Sequence, residues 1–269
     1  MNKNQALIRD IDRCAVKRGH LAFWWLGQHS FVVKTSEAVL YLDPFLAQHP
    51  KRRIPPLLRP QDVTNADFIF GSHDHGDHID REVWPALAKA SPHATFVVPE
   101  ILRSKVSQEL DIPAGRFLGV DAGKAVKKPG IRITGIAAAH ELLDPDPKTG
   151  KYAFLGFIIE SGDCTIYHSG DCCIYEGLQT SLKRWKFDLA FLPINGRDAR
   201  RLLSDCIGNM TYQEAADLAG AVQPGLTVPA HFDMFKGNME DPTLFADYMR
   251  VKYPRLKVRI PEYGQRDRL

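Results

Sequence analysis

The sequence predicts a single α/β domain built as a four-layer αββα sandwich, and three observations support that expectation. Two sets of short strand-like runs are interspersed with helical segments along the 269 residues. Hydrophobic content of 44% is enough for a sizeable core, and no segment is long enough to act as a divider, so one domain over residues 1–269 is expected. Several of the strand-like runs also end in a side chain able to hold a metal.

Residues 21–26, 31–35 and 39–42 read as three strands separated by short polar turns. Residues 48–62 contain Pro50, Pro55, Pro56 and Pro60, which lack the N–H that a helix or central strand needs. They predict a long loop and a candidate wall of an active site. Residues 66–70 form a short apolar run, and two helices are expected at 81–90 and 99–110 with a strand at 94–98 between them. Residues 131–139 alternate and then run apolar into His140; residues 164–167 lead into His168-Ser169-Gly170-Asp171. A strand at 188–193 precedes a polar segment beginning at Asn195. Thr211-Tyr212-Gln213-Glu214 is a capping-box pattern opening an alanine-rich helix to Val222. Residues 226–230 lead into His231, and Asp241-Pro242-Thr243 opens a last helix through about Lys252.

The densest chemistry lies at Gly71-Ser72-His73-Asp74-His75-Gly76-Asp77-His78-Ile79-Asp80. A solvated polar loop would account poorly for three histidines so close together, since histidine mostly occurs singly. Mixed imidazole and carboxylate donors suit divalent transition metals, whereas an all-oxygen set would suit Mg²⁺ or Ca²⁺. His73 and His75 can point the same way if the segment is extended, and Asp77 and His78 can turn back after Gly76 toward a second point. That geometry offers two metal positions. His140, Asp171 and His231 are the remaining candidate ligands. One strand-end histidine alone would more often be a hydrogen-bonded core residue; three such ends beside the cluster make a site.

These residues resemble the signature of the metallo-β-lactamase-fold hydrolases, His-x-His-x-Asp-His followed by separate His, Asp and His ligands. The resemblance covers nearly the whole chain. It implies that His73, His75 and His140 hold one metal, that Asp77, His78 and His231 hold the other, and that Asp171 bridges them. It also implies two divalent ions, zinc or manganese, which share and acidify a water, with Asp77 orienting that water or carrying its proton. Within the superfamily, Trp24-Trp25-Leu26-Gly27, residues 73–80, residues 167–171 and residues 229–233 resemble the L-ascorbate-6-phosphate lactonase branch. The chain departs from that branch in being shorter and in having Asn195-Gly196-Arg197-Asp198 where Asn-Pro-Arg-Gly stands.

Around the ligands, Asp74 is expected to accept the free N–H of a ligand histidine or to cap the following turn. His168 is expected to make a structural hydrogen bond. Residues 195–201 concentrate three arginines, which match phosphate or carboxylate oxygens, so a small anionic substrate is expected. Arg197 is the first candidate contact, Asn195 the second and Asp233 a third, and Gly208-Asn209-Met210 could close on substrate. The competing expectation is a surface charge run with Asp198 and Asp205 as partners.

Net charge of +3 with scattered basic residues argues against nucleic acid, and Arg52-Arg53 and Lys127-Lys128 read as solvated surface. No run approaches the length of a membrane span, and residues 1–5 lack the apolar core of a signal peptide. Five cysteines without paired spacing suggest a reducing compartment, so cytoplasmic residence is expected. Cys172 and Cys173 neighbour Asp171 but are expected to leave ligation to it. Nothing speaks against a homo-oligomer. The alternative activity is a phosphodiesterase using the same metals on a cyclic phosphate, nucleic acid or phospholipid; a non-hydrolytic metal-binding role comes third.

Overall fold

A computed structural model describes residues 3–269, so Met1 and Asn2 of the N-terminal reading lie outside the described residues. The first half of the chain runs α1 (Lys3–Arg13), β1 (Ala22–Gly27), β2 (Ser30–Lys34), β3 (Val39–Leu42), β4 (Phe68–Phe70), α2 (Trp84–Ala90), β5 (Thr95–Pro99), α3 (Arg103–Glu109) and β6 (Phe117–Val120). The second runs β7 (Ala125–Lys128), β8 (Ile131–Ala137), β9 (Leu155–Ser161), β10 (Cys164–His168), α4 (Leu178–Leu182), β11 (Leu189–Pro193), α5 (Ala199–Leu202), α6 (Tyr212–Val222), β12 (Leu226–Ala230), α7 (Pro242–Lys252) and β13 (Arg266–Arg268).

Two mixed sheets result. One has the order β13-β1-β2-β3-β4-β5-β6, the other β12-β11-β10-β9-β8-β7. Strand alternation shows how the layers form. Phe23 and Trp25 of β1 face the other sheet, while Trp24 and Leu26 belong to the core under the first-half helices. Between the sheets, Phe31 of β2 stacks on Phe191 of β11 with ring centroids 3.9 Å apart, and Phe70 of β4 meets Phe157 of β9 edge-on at 5.4 Å. Trp84 of α2 lies over Phe96 of β5 at 5.1 Å, and α6 packs on α7 outside the second sheet. Because both faces are covered, all six residues of β1 are buried. The expected αββα sandwich is observed.

Strand direction then gathers the site. β3, β4, β5 and β6 are parallel, as are β10, β11 and β12. β8 reaches β10 through two antiparallel steps and so runs the same way. The residues that follow β3 and β4 thus leave one end of the first sheet and those that follow β8, β10 and β12 one end of the second, and contacts between His73, His78, His140, Asp171 and His231 bring the two ends together at one edge.

Some expected boundaries move for physical reasons. The helix expected at 81–90 begins at Trp84, with proline in its first turn, and the one expected at 99–110 splits. Pro99 ends β5, a 3-10 turn covers Glu100–Leu102, and α3 follows. Arg52 is not solvated surface as expected: it is half-buried, its guanidinium donates to the Phe45, Ala47 and Ile54 carbonyls, and it lies 4.4 Å from the Phe45 ring. Lys127 and Lys128 are exposed on the edge strand β7, where charge discourages further pairing. Among the described residues no helix is long and apolar enough to cross a membrane.

Candidate metal centre

The chain leaves β4 through Gly71, where any Cβ would stand 2.5 Å from Ile79 and 2.8 Å from Trp84, so only glycine fits. The His78 and Ile79 amides then donate to the His75 carbonyl at 3.0 and 2.8 Å, folding the segment back on itself. This turn places His78 beside His73, with ring centroids 4.0 Å apart.

All seven expected ligands come together. The donor atoms of His73, His75 and His140 lie within 4.8 Å of one another, as do those of Asp77, His78 and His231 and those of His73, His78 and Asp171. Asp171 stands between the first two groups. One of its oxygens is 3.4 Å from His78 Nε2; the other is 3.2 Å from His231 Nε2 and 4.0 Å from His140 Nε2. Asp77 Oδ2 is 3.7 Å from both His78 Nε2 and His231 Nε2.

The electrostatics fit divalent cations. Burial holds His73 well below its usual pKa and brings His140 down to about 4, so both offer neutral lone pairs. Burial also opposes a proton on His78, but Asp171, Asp77 and Asp43 together raise it to about 10. For Asp171 burial disfavours the charge, yet His231 and His78 hold the carboxyl well below the usual range. Among the described residues the buried His78 Nε2 finds no hydrogen-bond partner, although it faces this concentration of carboxylate. Neutral His73 and His140 beside the ionised Asp171 are donors that zinc, manganese and iron accept, while a cation would bind His78 in place of its Nε2 proton.

The carboxylate expected behind a ligand histidine is Asp43, not Asp74. Asp43 follows β3 with a positive φ of 43° and is fully buried. Its Oδ2 accepts from His78 Nδ1 at 2.6 Å, His168 Nε2 at 2.9 Å and the Ser72 hydroxyl at 2.6 Å, while Oδ1 takes the Ser72 amide at 2.8 Å. Held through Nδ1 by Asp43, the His78 ring aims Nε2 at the site, where a bound cation would take the place of the Nε2 proton. Asp74 instead turns outward to Arg81 and Lys105, 2.6 and 2.7 Å away, because two cations on the neighbouring surface outcompete a buried histidine. His168 makes the structural hydrogen bond expected of it, to Asp43.

Gln28 and His29, in the turn between β1 and β2, are further residues that the sequence reading did not single out. Gln28 has φ 53° and is buried; its Nε2 donates to Asp77 Oδ2 at 2.8 Å and lies 3.0 Å from His231 Nε2, and its Oε1 has no partner among the described residues. His29 Nδ1 stands 3.5 Å from Asp171, and burial, then His168, lowers its pKa to about 3.

The expected substrate contacts are placed differently. Arg197 is paired with Glu214 at 2.6 and 2.7 Å and donates to the Asn209 carbonyl, because Glu214 closes the capping box of α6 at that point. Asn195 is fully buried between Asn238 and Asn209, so it braces loops. Asp233 is buried and accepts the Gln28 amide at 2.9 Å. Gly208-Asn209-Met210 packs on the 195–197 segment, with Asn209 N on Gly196 O and Gly196 N on Met210 O. Cys172 is buried, and burial pushes its thiol up to about 12, which disfavours a thiolate ligand. Asp198 does pair with Arg201, as the surface-charge reading expected.

Over the histidines opens a cavity of about 550 Å³, with Lys51, Arg200, Ile207, Phe235, Lys236 and Asn238 on its walls. Lys51 belongs to the proline-rich loop, which thus contributes the expected wall.

A family profile described as a β-lactamase superfamily domain matches residues 36–232. A UPF0173 metal-dependent hydrolase of Methanosarcina mazei is 28% identical over 239 residues, covering 86% of this chain and 92% of its own length. One from Sulfolobus acidocaldarius is 27% identical over 221 residues, covering 81% and 88%. Among solved structures, a metallo hydrolase from the hyperthermophilic archaeon Ignicoccus hospitalis superposes with a TM-score of 0.73 at 21% identity, over 93% of this chain and 98% of that one. At that identity the likeness speaks for the fold.

Proposed function

The chain belongs to the β-lactamase superfamily of metal-dependent hydrolases, and on that premise we infer that it opens a small anionic lactone with the help of two divalent cations, zinc or manganese. The observation that carries the reading is the position of Asp171, within 4.0 Å of histidines from both donor groups. His73, His75 and His140 would hold one cation and Asp77, His78 and His231 the other, with Asp171 touching both. Bound there, such a pair supplies a water of lowered pKa and a Lewis acid for the oxygen under attack. Asp77 is the more exposed of the two site carboxylates, 19% against 5%. Held by Gln28, it orients the attacking water and takes up its proton. Asp43 fixes the His78 ring, and His29 stays neutral against Asp171.

The narrower candidate is the lactone of L-ascorbate 6-phosphate, supported by the motif runs at 24–27, 73–80, 167–171 and 229–233. Five free thiols support a reducing, cytoplasmic setting. The test is turnover of a panel of lactones and phosphodiesters by protein loaded with zinc or manganese. Lactone hydrolysis lost to chelation and restored by either metal is expected. Phosphodiester turnover without lactone turnover would transfer the reading to a phosphodiesterase, and no hydrolysis by a fully loaded protein would reject both.

A further inference from the structure

We propose that Lys51, Arg200 and Lys236 form a phosphomonoester-binding subsite at the mouth of the metal cavity. This deepens the hydrolase reading and rests on it. The three side chains line the same cavity as His75, Asp77, His140, Asp171 and His231. They arrive from separate parts of the chain: the proline-rich loop, α5, and the turn after β12. Each is exposed, and among the described residues no side-chain hydrogen bond or ion pair engages any of them. Neighbouring cations differ. Arg52 is held by three carbonyls, Arg53 by the Asp233 carbonyl and Met239, Arg197 by Glu214, and Arg201 by Asp198 and the Met239 carbonyl. The guanidinium groups that have structural partners are thus separable from the cations left facing the cavity.

Charge balance selects the ligand. Among the described residues, Asp205 is the one carboxylate on the cavity wall outside the candidate ligands, so three unpaired cations face one negative charge there. A phosphomonoester carries about −1.5 to −2 near neutrality and offers three acceptor oxygens, which suits that surplus better than a single carboxylate. With the phosphate on this rim, the carbonyl under attack can reach the histidine floor, and the two ends of the substrate are recognised separately.

The test compares glucono-δ-lactone with its 6-phosphate as substrates, and gluconate with 6-phosphogluconate as calorimetric ligands, on zinc-loaded protein of measured metal content. Exposed charge contacts are individually weak, so three together predict a wild-type preference for the phosphorylated member of roughly 10–100-fold in kcat/KM and in Kd. The triple variant Lys51→Gln, Arg200→Gln, Lys236→Gln should collapse both ratios to within about threefold and flatten the salt dependence of binding. Arg197→Gln should keep the wild-type ratios. A triple variant that retains the preference, or a wild type without one, overturns the subsite. Preferential binding of 6-phosphogluconate that depends on the three cations, with neither lactone hydrolysed, would instead sink the lactonase reading and leave the subsite standing.

Discussion

Replacing Asp43 by Asn should damage the protein far more than replacing Asp74 by Asn, although only Asp74 lies within the histidine motif. Asp43 Oδ2 accepts from His78, His168 and Ser72 at 2.6 to 2.9 Å in a fully buried setting. An Asn keeping its carbonyl on the Ser72 amide would present an NH₂ group to those three donors. Breaking a buried charged pair costs about 3–5 kcal/mol, and losing the carboxylate behind a metal-binding histidine weakens metal affinity roughly 10–100-fold. Asp74 faces partly exposed Arg81 and Lys105, so its loss is worth about 0.2–1 kcal/mol. The assay is urea unfolding of metal-free protein together with zinc titration of each variant. The pH dependence adds a sign. Burial disfavours the Asp43 charge, but His168 and His78 hold the carboxyl well below 3.8. Its stabilisation is therefore complete above the unfolded value and lost as the pH falls through the folded one, so the wild-type advantage should narrow in acid. Equal stability and equal zinc affinity for the two variants would refute the reasoning.

Three further outcomes follow from the same geometry. Gln28→Leu should lower kcat roughly 10–100-fold with little loss of bound metal, because it removes the donor to Asp77 but no ligand; parallel loss of metal would assign it a holding role. Thr211→Ala should cost about 1 kcal/mol in denaturant unfolding by opening the capping box of α6, with kcat unchanged. Iodoacetamide on the native protein should label Cys206 first, since the other four cysteines are buried and burial raises Cys164 to about 11 and Cys172 to about 12; early labelling of Cys172, followed by peptide mass mapping, would contradict the packing.

The residues that come together as candidate metal ligands are legible in the sequence because their chemistry is written locally. His73 to His78 are contiguous, and His140, Asp171 and His231 each close a recognisable apolar run. Asp43 also follows a strand, yet a lone Asp before Pro44 reads as an ordinary turn. Gln28 and His29 sit in a two-strand turn, and residue type alone does not tell which way a turn side chain points. Arg197 shows the same limit from the other side: its charge was visible, but its partner Glu214 is brought to it by the start of α6. Helix starts with a chemical signature, Thr211 and Asp241, are placed correctly; the edge strands β7 and β13 go unread because they remain polar, and the buried central strand β9 goes unread although it is apolar.

Metal stoichiometry by native mass spectrometry separates a two-cation site shared through Asp171 from a site for one ion. Protein reconstituted with excess zinc or manganese should carry two ions per chain. Chelation should remove both along with activity, and Asp171→Ala should fail to retain the pair while Asp74→Ala keeps it. A wild-type chain that holds one ion tightly and takes up no second in excess metal would rule out the shared two-cation site.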